Sequence, residues 1–202
     1  MWKMPDFGSL TRLLQMCIIF DNNRTNWFMT GKMPVKCRGG REMEIRRFRN
    51  EDSEELADVI AYTLRTTNIK DYSAEYIEND VSFLTAEKLA ERAGWTHIYV
   101  VCDEGRIIGC GAIGPYWGKE DESSLFTIFV HPDYQGRGIG RKIIEAVEQD
   151  EYFLRAKRIE VPASKTAVEF YRKMGYDFKK GAAQPNEELL YPLEKYRDSY
   201  NV

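Results

Sequence analysis

An apolar run, a glycine-rich hexapeptide and an amphipathic stretch follow one another about two-thirds along this chain. The run ends at Ile128-Phe129-Val130, residues 135–140 read Gln-Gly-Arg-Gly-Ile-Gly, and the stretch begins at Arg141. Alternating glycines permit positive φ and bring the backbone close to a ligand, and a helix start leaves N–H groups without intrahelical partners. Because such donors and the helix dipole favour anions, this order predicts a strand, turn and helix that bind phosphate or pyrophosphate.

The glycine spacing distinguishes this turn from two nucleotide-binding loops. A Walker loop needs Ser or Thr after its lysine, and none follows Arg141 and Lys142. A dinucleotide fingerprint needs Gly-x-Gly-x-x-Gly near the start of a βαβ unit, whereas these glycines stand at 136, 138 and 140. The spacing therefore argues against a nucleotide-binding protein.

Three motifs together point to a known family. Gln135, Gly138 and Gly140 match Gln/Arg-x-x-Gly-x-Gly/Ala, Phe-Val-His-Pro precedes them at 129–132, and Phe-Tyr-Arg-Lys-Met-Gly-Tyr follows at 170–176. Over about residues 122–180 the chain closely resembles the GCN5-related N-acetyltransferase (GNAT) family. The resemblance implies an α/β protein with the acyl-CoA N-acyltransferase fold, a central twisted mixed sheet flanked by helices. It also implies acetyl-CoA as donor and a primary amine as acceptor.

Hydrophobic periodicity predicts the element order β-α-α-β-β-β-α-β-α-β-β, which agrees with that fold. The predicted strands cover about 43–50, 96–102, 106–113, 122–130, 158–161, 176–180 and 188–194. The predicted helices run from about 50–53 to Thr66, over 73–93 with an interruption near Asp80-Val81, over 139–147 and over 167–174.

Residues 1–42 differ from the rest. They carry seven basic and three acidic residues, whereas residues 43–202 carry 22 basic and 29 acidic ones. The resemblance is loose back to Met43 and absent before it. We therefore predict an acetyltransferase domain over 43–202 and an N-terminal extension over 1–42 of uncertain status. One hypothesis makes Met43 the natural start, and the alternative makes 1–42 a genuine arm that packs on the body or on a second subunit.

Composition limits the classes of molecule that this protein is expected to bind. The acidic body disfavours nucleic acid, whose binding requires neutralised phosphates, and is compatible with a cationic amine. The longest apolar run near the N-terminus, residues 16–20, is too short for a membrane span, and no signal-peptide pattern is present, so we predict a cytoplasmic protein. Four cysteines without Cys-x-x-Cys spacing and two histidines give little support to a metal site. The sequence leaves the oligomeric state open; dimers are common in the family, so a homodimer is one of the alternatives.

The resemblance also implies the cofactor contacts. The turn grips the pyrophosphate, and Phe129 and Val130, opposite 158–161, pair with the pantetheine arm, with the Val130 N–H aimed at the thioester oxyanion. Ser164 stands where the family has an asparagine that contacts the arm. The predicted cofactor-binding residues are Phe129, Val130, Gln135, Gly136, Arg137, Gly138, Ile139, Gly140, Arg141 and Ser164.

Two residues are predicted to be catalytic. Tyr171 matches the family's general acid, which protonates the departing thiolate; the alternative is a plain core tyrosine. The family's usual glutamate base falls at Ser124, a departure from the pattern. Glu122 lies two residues earlier on the same strand face and is the predicted base, acting through a water; the alternative is a solvated strand-end glutamate. His131 is expected to organise the turn.

The acceptor is less well defined by the sequence. Tyr72, Tyr76, Tyr116 and Trp117 lie where the family binds its acceptor, and they are either walls of an amine pocket or ordinary core. The leading interpretation is a small-molecule N-acetyltransferase. The alternatives are a peptide or protein acetyltransferase, which needs an open groove, and a non-catalytic acyl-CoA-binding module.

Overall fold

The computed structural model describes residues 33–36, 42–180 and 183–197. Within them, eight strands form one mixed sheet in the order β1-β2-β3-β4-β5-β6-β8-β7. The strands are β1 Met33–Lys36, β2 Glu42–Arg47, β3 His97–Asp103, β4 Arg106–Pro115, β5 Glu122–Val130, β6 Arg158–Ala163, β7 Asp177–Phe178 and β8 Tyr191–Tyr196. The helices are α1 Ser53–Thr66, α2 Ala74–Phe83, α3 Ala86–Ala93, α4 Ile139–Val147, α5 Glu151–Arg155 and α6 Val168–Lys173. The predicted fold class is confirmed.

The sheet separates two apolar cores. On one face, here the α1–α3 face, buried residues such as Leu56, Ile60 and Leu89 pack on the strands. On the other, the α4–α6 face, Ile143 of α4 and Phe170 of α6 do the same. Side chains alternate along a strand. Since Ile159 and Val161 of β6 belong to the α4–α6 core, Arg158 and Glu160 point to the α1–α3 face.

The predicted domain boundary falls inside β2. Met33–Lys36 pairs antiparallel with Glu42–Arg47, from Met33↔Ile45 to Lys36↔Glu42, so five residues of the predicted extension, 33–36 and Glu42, belong to the sheet. The rest of residues 1–42 lies outside the described residues, and the start at Met43 stays a prediction.

Several element bounds differ from the predicted ones for local reasons. The break in the second helical region comes at 84–85 rather than at 80–81, because the Thr85 hydroxyl accepts the Lys88 N–H at 3.4 Å and starts α3 there. The five-residue helix α5 was not predicted; Asp150 caps it by accepting the Tyr152 N–H at 2.8 Å. Among the described helices, none has the length and apolar character to cross a membrane.

Candidate active site

β5 and β6 are parallel and separate after three residue pairs. Glu122 faces Arg158, Ser123 faces Ile159 and Ser124 faces Glu160, and no later pair joins the two strands. The other edge of β5 stays paired with β4 as far as Val130. A fork therefore opens between β5 and β6, with Ser124 and Glu160 at its closed end. The sequence predicted that Phe129 and Val130 lie opposite residues 158–161. In the structure both residues lie beyond the last β5–β6 pair, where the fork is open.

The peptide groups of Val130 face this fork. The His131 N–H donates to the Ile108 carbonyl at 2.8 Å, which makes Val130 and Gly109 a pair without mutual hydrogen bonds in the antiparallel ladder. The N–H and carbonyl of Val130 then point away from β4. The carbonyl accepts from the Gln135 side chain at 3.0 Å, and the N–H is directed toward the open fork.

A bulge bends β5 just before the fork widens. Its register to β4 shifts between Cys110 and Ala112, and Thr127 takes a φ of 51°. The Thr127 hydroxyl accepts a hydrogen bond from the guanidinium of Arg92 on α3. Arg92 is only 6% exposed, and burial lowers its pKa to about 10. Arg92 thus holds the bulge from the α1–α3 face.

The glycine-rich turn follows β5 and starts α4 as predicted. Gly136 and Gly138 have φ of 74° and 89°, which L side chains rarely adopt. Gly138 is the N-cap of α4 and supplies no side-chain cap, so no side chain from the N-cap covers the first helical N–H groups. Gly111 allows α4 to approach β4, because a Cβ there would lie 2.2 Å from Ile143 Cγ2. The turn is therefore held against the sheet beside the fork.

The basic side chains near the turn have different surroundings. Arg137 folds back, with Nη2 donating to the Asp133 carbonyl at 2.7 Å, and Lys142 pairs with Glu145 at 3.0 Å. The Nε atom of Arg141 is buried and, among the described residues, has no hydrogen-bond partner. A buried N–H donor without a partner is costly, so Arg141 suits an anionic ligand better than the other two.

The Gln135 side chain connects the end of β5 to the segment after α1. Its amide nitrogen bridges the Val130 carbonyl at 3.0 Å and the Thr67 hydroxyl, just after α1, at 3.3 Å. His131 lies beside it, accepting the Asp133 N–H at 3.3 Å and stacking on Tyr62 with ring centroids 5.0 Å apart. The structure thus places both side chains as organisers of the turn.

Tyr171 and Ser164 are fully buried on the side of the fork toward α6. Tyr171 belongs to the same core as Val130 and Ala163 and packs edge-on against Tyr176, with ring centroids 5.8 Å apart. Ser164 directly follows β6 and precedes the turn into α6. The predicted acid and the predicted arm contact therefore lie in and beside the core under the fork.

Glu122 lies far from the open end of the fork. Eight residues separate it from Val130, which is roughly 26 Å along a strand. Its Oε2 accepts two hydrogen bonds from Arg158, at 2.6 and 3.0 Å. This guanidinium also contacts Glu160 and Glu194, at 2.7 and 3.0 Å. Distance and pairing both argue against Glu122 as the base at a thioester near Val130.

The four candidate acceptor aromatics form two separate pairs. Tyr72 and Tyr76 stack with centroids 4.8 Å apart, and their hydroxyls donate to the carbonyls of Leu189 and Glu188 at 3.3 and 3.0 Å. They tie α2 and the turn before it to the loop before β8, and burial raises the pKa of Tyr72 to about 12. The other two, Tyr116 and Trp117, pack edge-on at 5.1 Å, and Tyr116 lies under Arg158.

Three polar features of the α1–α3 face were missed by sequence reasoning. They are the brace of Arg92 on Thr127, the carboxylates around Arg158, and Asn68, which is 0% exposed. Among the described residues, neither side-chain polar atom of Asn68 has a hydrogen-bond partner. No local pattern distinguishes these residues, because the partner of Arg92, two of the carboxylates around Arg158 and the surroundings of Asn68 belong to other parts of the chain. The described residues contain no group of three or more His, Cys, Asp or Glu placed to hold a metal ion.

Comparison with known proteins agrees with this geometry. The family model for the acetyltransferase (GNAT) domain matches residues 94–177. The PaiA N-acetyltransferase from Thermoplasma acidophilum, solved with coenzyme A, is 19% identical, covers 77% of this chain and 99% of its own, and has a TM-score of 0.66. A GCN5-related N-acetyltransferase from Rhodopseudomonas palustris is 24% identical, covers 85% and 100%, and has a TM-score of 0.63.

A third solved structure resembles this chain over part of its own length. N-acetylglutamate synthase from Neisseria gonorrhoeae, complexed with coenzyme A and L-arginine, is 17% identical and has a TM-score of 0.51. The match covers 76% of this chain and 33% of the synthase chain.

The forked mixed sheet and these likenesses define an α/β protein with the acyl-CoA N-acyltransferase fold. More narrowly, residues 94–177 match the acetyltransferase (GNAT) domain model, so this part of the chain is a GNAT domain. The family resemblance predicted from the sequence is confirmed.

Proposed function

We propose that the protein transfers an acetyl group from acetyl-CoA to the primary amine of a small molecule, by direct attack in a ternary complex. The observation that carries this proposal is the fork. It leaves the Val130 N–H directed between two strands at the end of β5, immediately before the glycine-rich turn. An extended amide-bearing ligand fits such an edge as an added strand does.

The turn supplies the phosphate end of the site. Backbone N–H groups at the start of α4, with the helix dipole behind them, suit a diphosphate. The buried Arg141 Nε adds a donor that has no partner among the described residues. Two coenzyme A complexes with the same fold, those of the Thermoplasma and Neisseria proteins, support this assignment.

The reacting end lies in the open part of the fork. The Val130 N–H donates to the oxygen of the thioester carbonyl as negative charge develops on it. The phenol of Tyr171 protonates the sulfur as the C–S bond breaks. Ser164, buried beside them, provides a polar contact for the pantetheine arm.

The acceptor side favours a small amine over a peptide. A peptide acceptor needs an open groove, whereas Tyr72 and Tyr76 are bonded to the carbonyls of Leu189 and Glu188 and join two loops into one wall. The acidic body of the chain suits an ammonium group. The homodimer and the cytoplasmic location stay predictions.

Calorimetry and a thiol-release assay test this function. Coenzyme A and acetyl-CoA are each titrated into the full chain, and thiol release is measured with spermidine, an aminoglycoside, free amino acids and a peptide with a free N-terminus. We expect binding and release with at least one small amine. Arg141→Gln is expected to weaken binding about tenfold, worth about 1.4 kcal/mol, whereas Arg137→Gln changes it little because Arg137 bonds within the turn.

Three other outcomes would overturn the proposal in different ways. Absence of coenzyme A binding would remove the cofactor assignment. Binding without thiol release from any amine would support the non-catalytic module. Release with the peptide alone would support a peptide acetyltransferase.

A further inference from the structure

The segment between α1 and α2, residues 67–72, is attached to both strands that border the fork. At its start, the Thr67 hydroxyl accepts from Gln135, whose amide nitrogen also donates to the last carbonyl of β5. At its end, the Tyr72 hydroxyl accepts the N–H of Lys165, two residues after β6. This segment, here the α1–α2 turn, therefore spans the open part of the fork on the α1–α3 face.

Asn68 is the second residue of the α1–α2 turn and is 0% exposed. Its backbone carbonyl accepts the N–H groups of Asp71 and Tyr72, at 2.9 and 3.1 Å, and closes the turn. Its side chain differs: among the described residues, neither Oδ1 nor Nδ2 has a hydrogen-bond partner. Unpaired polar groups in a protein interior are costly and rare. Both ends of the Asn68 amide therefore suit groups that a ligand brings.

Nearby polar side chains show that burial alone does not explain Asn68. The buried hydroxyls of Thr63 and Thr96 donate to backbone carbonyls, at 2.7 and 2.9 Å. A second unpaired atom lies in the same turn: Oδ2 of Asp71 is buried and has no partner within the part of the chain that the structure describes. Since buried charges in proteins are normally paired, this carboxylate suits a cation. The α1–α2 turn thus offers an amide and a carboxylate to one ligand.

We propose that Asn68 selects the acceptor, with Oδ1 accepting an N–H of the amine and Nδ2 donating to an oxygen beside it. This inference rests on the proposed function and names its substrate class, a small amine with a hydroxyl or carbonyl oxygen next to the nitrogen. An asparagine amide is both donor and acceptor, so a plain alkylamine leaves Nδ2 unpaired. Sites with buried hydrogen-bonding groups strongly reject analogues that lack the partner.

The acceptor reaches Asn68 through a movement of the α1–α2 turn. The side-chain bonds at the two ends of the turn are long, 3.3 Å from Gln135 to Thr67 and 3.2 Å from Lys165 to Tyr72. Such distances lie at the weak end of the hydrogen-bond range. The turn can therefore separate from the fork while α1 and the sheet keep their places, and it closes again over the bound acceptor.

Matched acceptors test the selection. The amine of the panel above that gives the highest rate is compared with its analogue without the adjacent oxygen, a deoxy sugar for an aminoglycoside or an alkylamine for an amino acid. We expect kcat/KM, expressed per concentration of free base, to be at least ~100-fold higher for the oxygen-bearing amine. In Asn68→Leu, which keeps nearly the same shape, this ratio should fall at least tenfold. Coenzyme A affinity, measured by calorimetry, should stay the same.

Unfolding in urea separates a ligand contact from a structural role. Asn68→Leu removes two unpaired polar groups and no hydrogen bond within the described protein, so its urea midpoint should equal or exceed that of the unaltered chain. An asparagine satisfied by a buried water would instead lose stability. Thr96→Val is the matched control. It removes a paired buried hydroxyl, so its midpoint should fall while the acceptor ratio stays the same.

Asn68→Ala serves if the leucine variant does not fold, with the same fall in the ratio expected. Spermidine as the best acceptor, equal rates with and without the oxygen, or an unaltered ratio in the variants would overturn this inference and leave the proposed function standing. An equal loss of rate with both amines would place Asn68 at the acetyl donor and would also overturn it. If the unaltered chain binds no coenzyme A or acetylates no small amine, the proposed function fails and this inference fails with it.

Discussion

The hydroxyl of Tyr72 accepts a hydrogen bond from the backbone N–H of Lys165 at 3.2 Å, and it donates to the Leu189 carbonyl at 3.3 Å. One phenol thus joins the turn after α1, the turn after β6 and the loop before β8. Tyr72 itself is only 7% exposed.

Removing this hydroxyl should loosen that junction. We expect Tyr72→Phe to lower the free energy of unfolding by about 1 kcal/mol, the typical net worth of such a hydrogen bond, and to raise KM for the acceptor with little change in acetyl-CoA affinity. Urea unfolding and steady-state kinetics measure both effects. Tyr62→Phe is the matched control, because Tyr62 is 48% exposed; equal effects of the two changes would contradict the role of the junction.

Tyr171→Phe tests the proposed acid. Turnover should fall at least ~10-fold, equivalent to about 1.4 kcal/mol in the barrier, because the thiolate then leaves without a proton donor. Acetyl-CoA affinity, measured by calorimetry, should stay the same. Its ring neighbour Tyr176 provides the control, and Tyr176→Phe should leave turnover within a few-fold. Unchanged turnover in Tyr171→Phe would return this residue to a purely structural role.

Gly136 and Gly118 form a matched pair for testing the turn. Both have positive φ, 74° and 66°, and a Cβ at either would contact nothing within 4 Å. Alanine should therefore strain both positions by a similar 1–2 kcal/mol or so. Only Gly136→Ala should also weaken coenzyme A binding, since only that backbone belongs to the proposed phosphate turn. Calorimetry decides: equal affinities in the two variants would argue against the turn as the phosphate site.

Thr127→Val tests the brace of the bulge. The change removes the hydroxyl that accepts from the buried Arg92 guanidinium, and loss of a partner for a buried donor costs about 1–3 kcal/mol. Thermal and urea unfolding should show this loss. Thr63→Val is the control, because the buried Thr63 hydroxyl only donates to the Val59 carbonyl four residues earlier. A loss at position 127 no greater than at 63 would show that the brace adds little stability.

Acid should weaken the start of α1 through Asp52. Hydrogen bonds from Arg46, at 2.7 and 2.8 Å, hold the pKa of this carboxyl below its ordinary 3.8. The unfolded chain therefore binds the proton more readily than the folded chain. The stabilisation is fully present above about pH 5 and is lost as the pH falls through the ordinary pKa toward the lower folded one.

Urea unfolding of Asp52→Asn between pH 3 and pH 7 checks this dependence. The difference in unfolding free energy from the unaltered chain should be largest near neutral pH and should shrink toward pH 3. The exposed pair of Arg65 and Glu78 gives the control, and Glu78→Gln should show little difference at either pH. A difference for Asp52→Asn that does not vary with pH would contradict the ion pair as its source.

Local patterns predicted the elements around the turn well. β5 and α4 occupy the predicted 122–130 and 139–147, because strand alternation, glycines and a helical apolar face are all local signals. The helix α5 was missed since five residues are too few to show helical periodicity. β8 begins at Tyr191, three residues later than predicted, because residues 186–190 form a hydrogen-bonded turn around Asn186.

The candidate site was predictable only in part, because the sequence shows local signals but not contacts between distant parts of the chain. The glycines, Tyr171 and Ser164 were identified from short motifs. Which residues of two neighbouring strands face each other depends instead on the register of strands that are far apart in the sequence. Sequence placed Glu122 and Ser124 on one strand but gave no sign that Arg158 would hold the first or that Glu160 would face the second. Buried groups such as Arg92 and Asn68 depend on partners or surroundings far away in the chain.

The separation of β5 and β6 links occupancy to folding. A ligand that fills the gap forms main-chain hydrogen bonds that the ligand-free protein lacks. Because the gap exists only in the folded protein, the ligand binds the native chain and not the denatured one. At a ligand concentration one hundred times Kd, this linkage contributes about 2.7 kcal/mol. The melting temperature of the protein would then rise and fall with the supply of the co-substrate proposed for it.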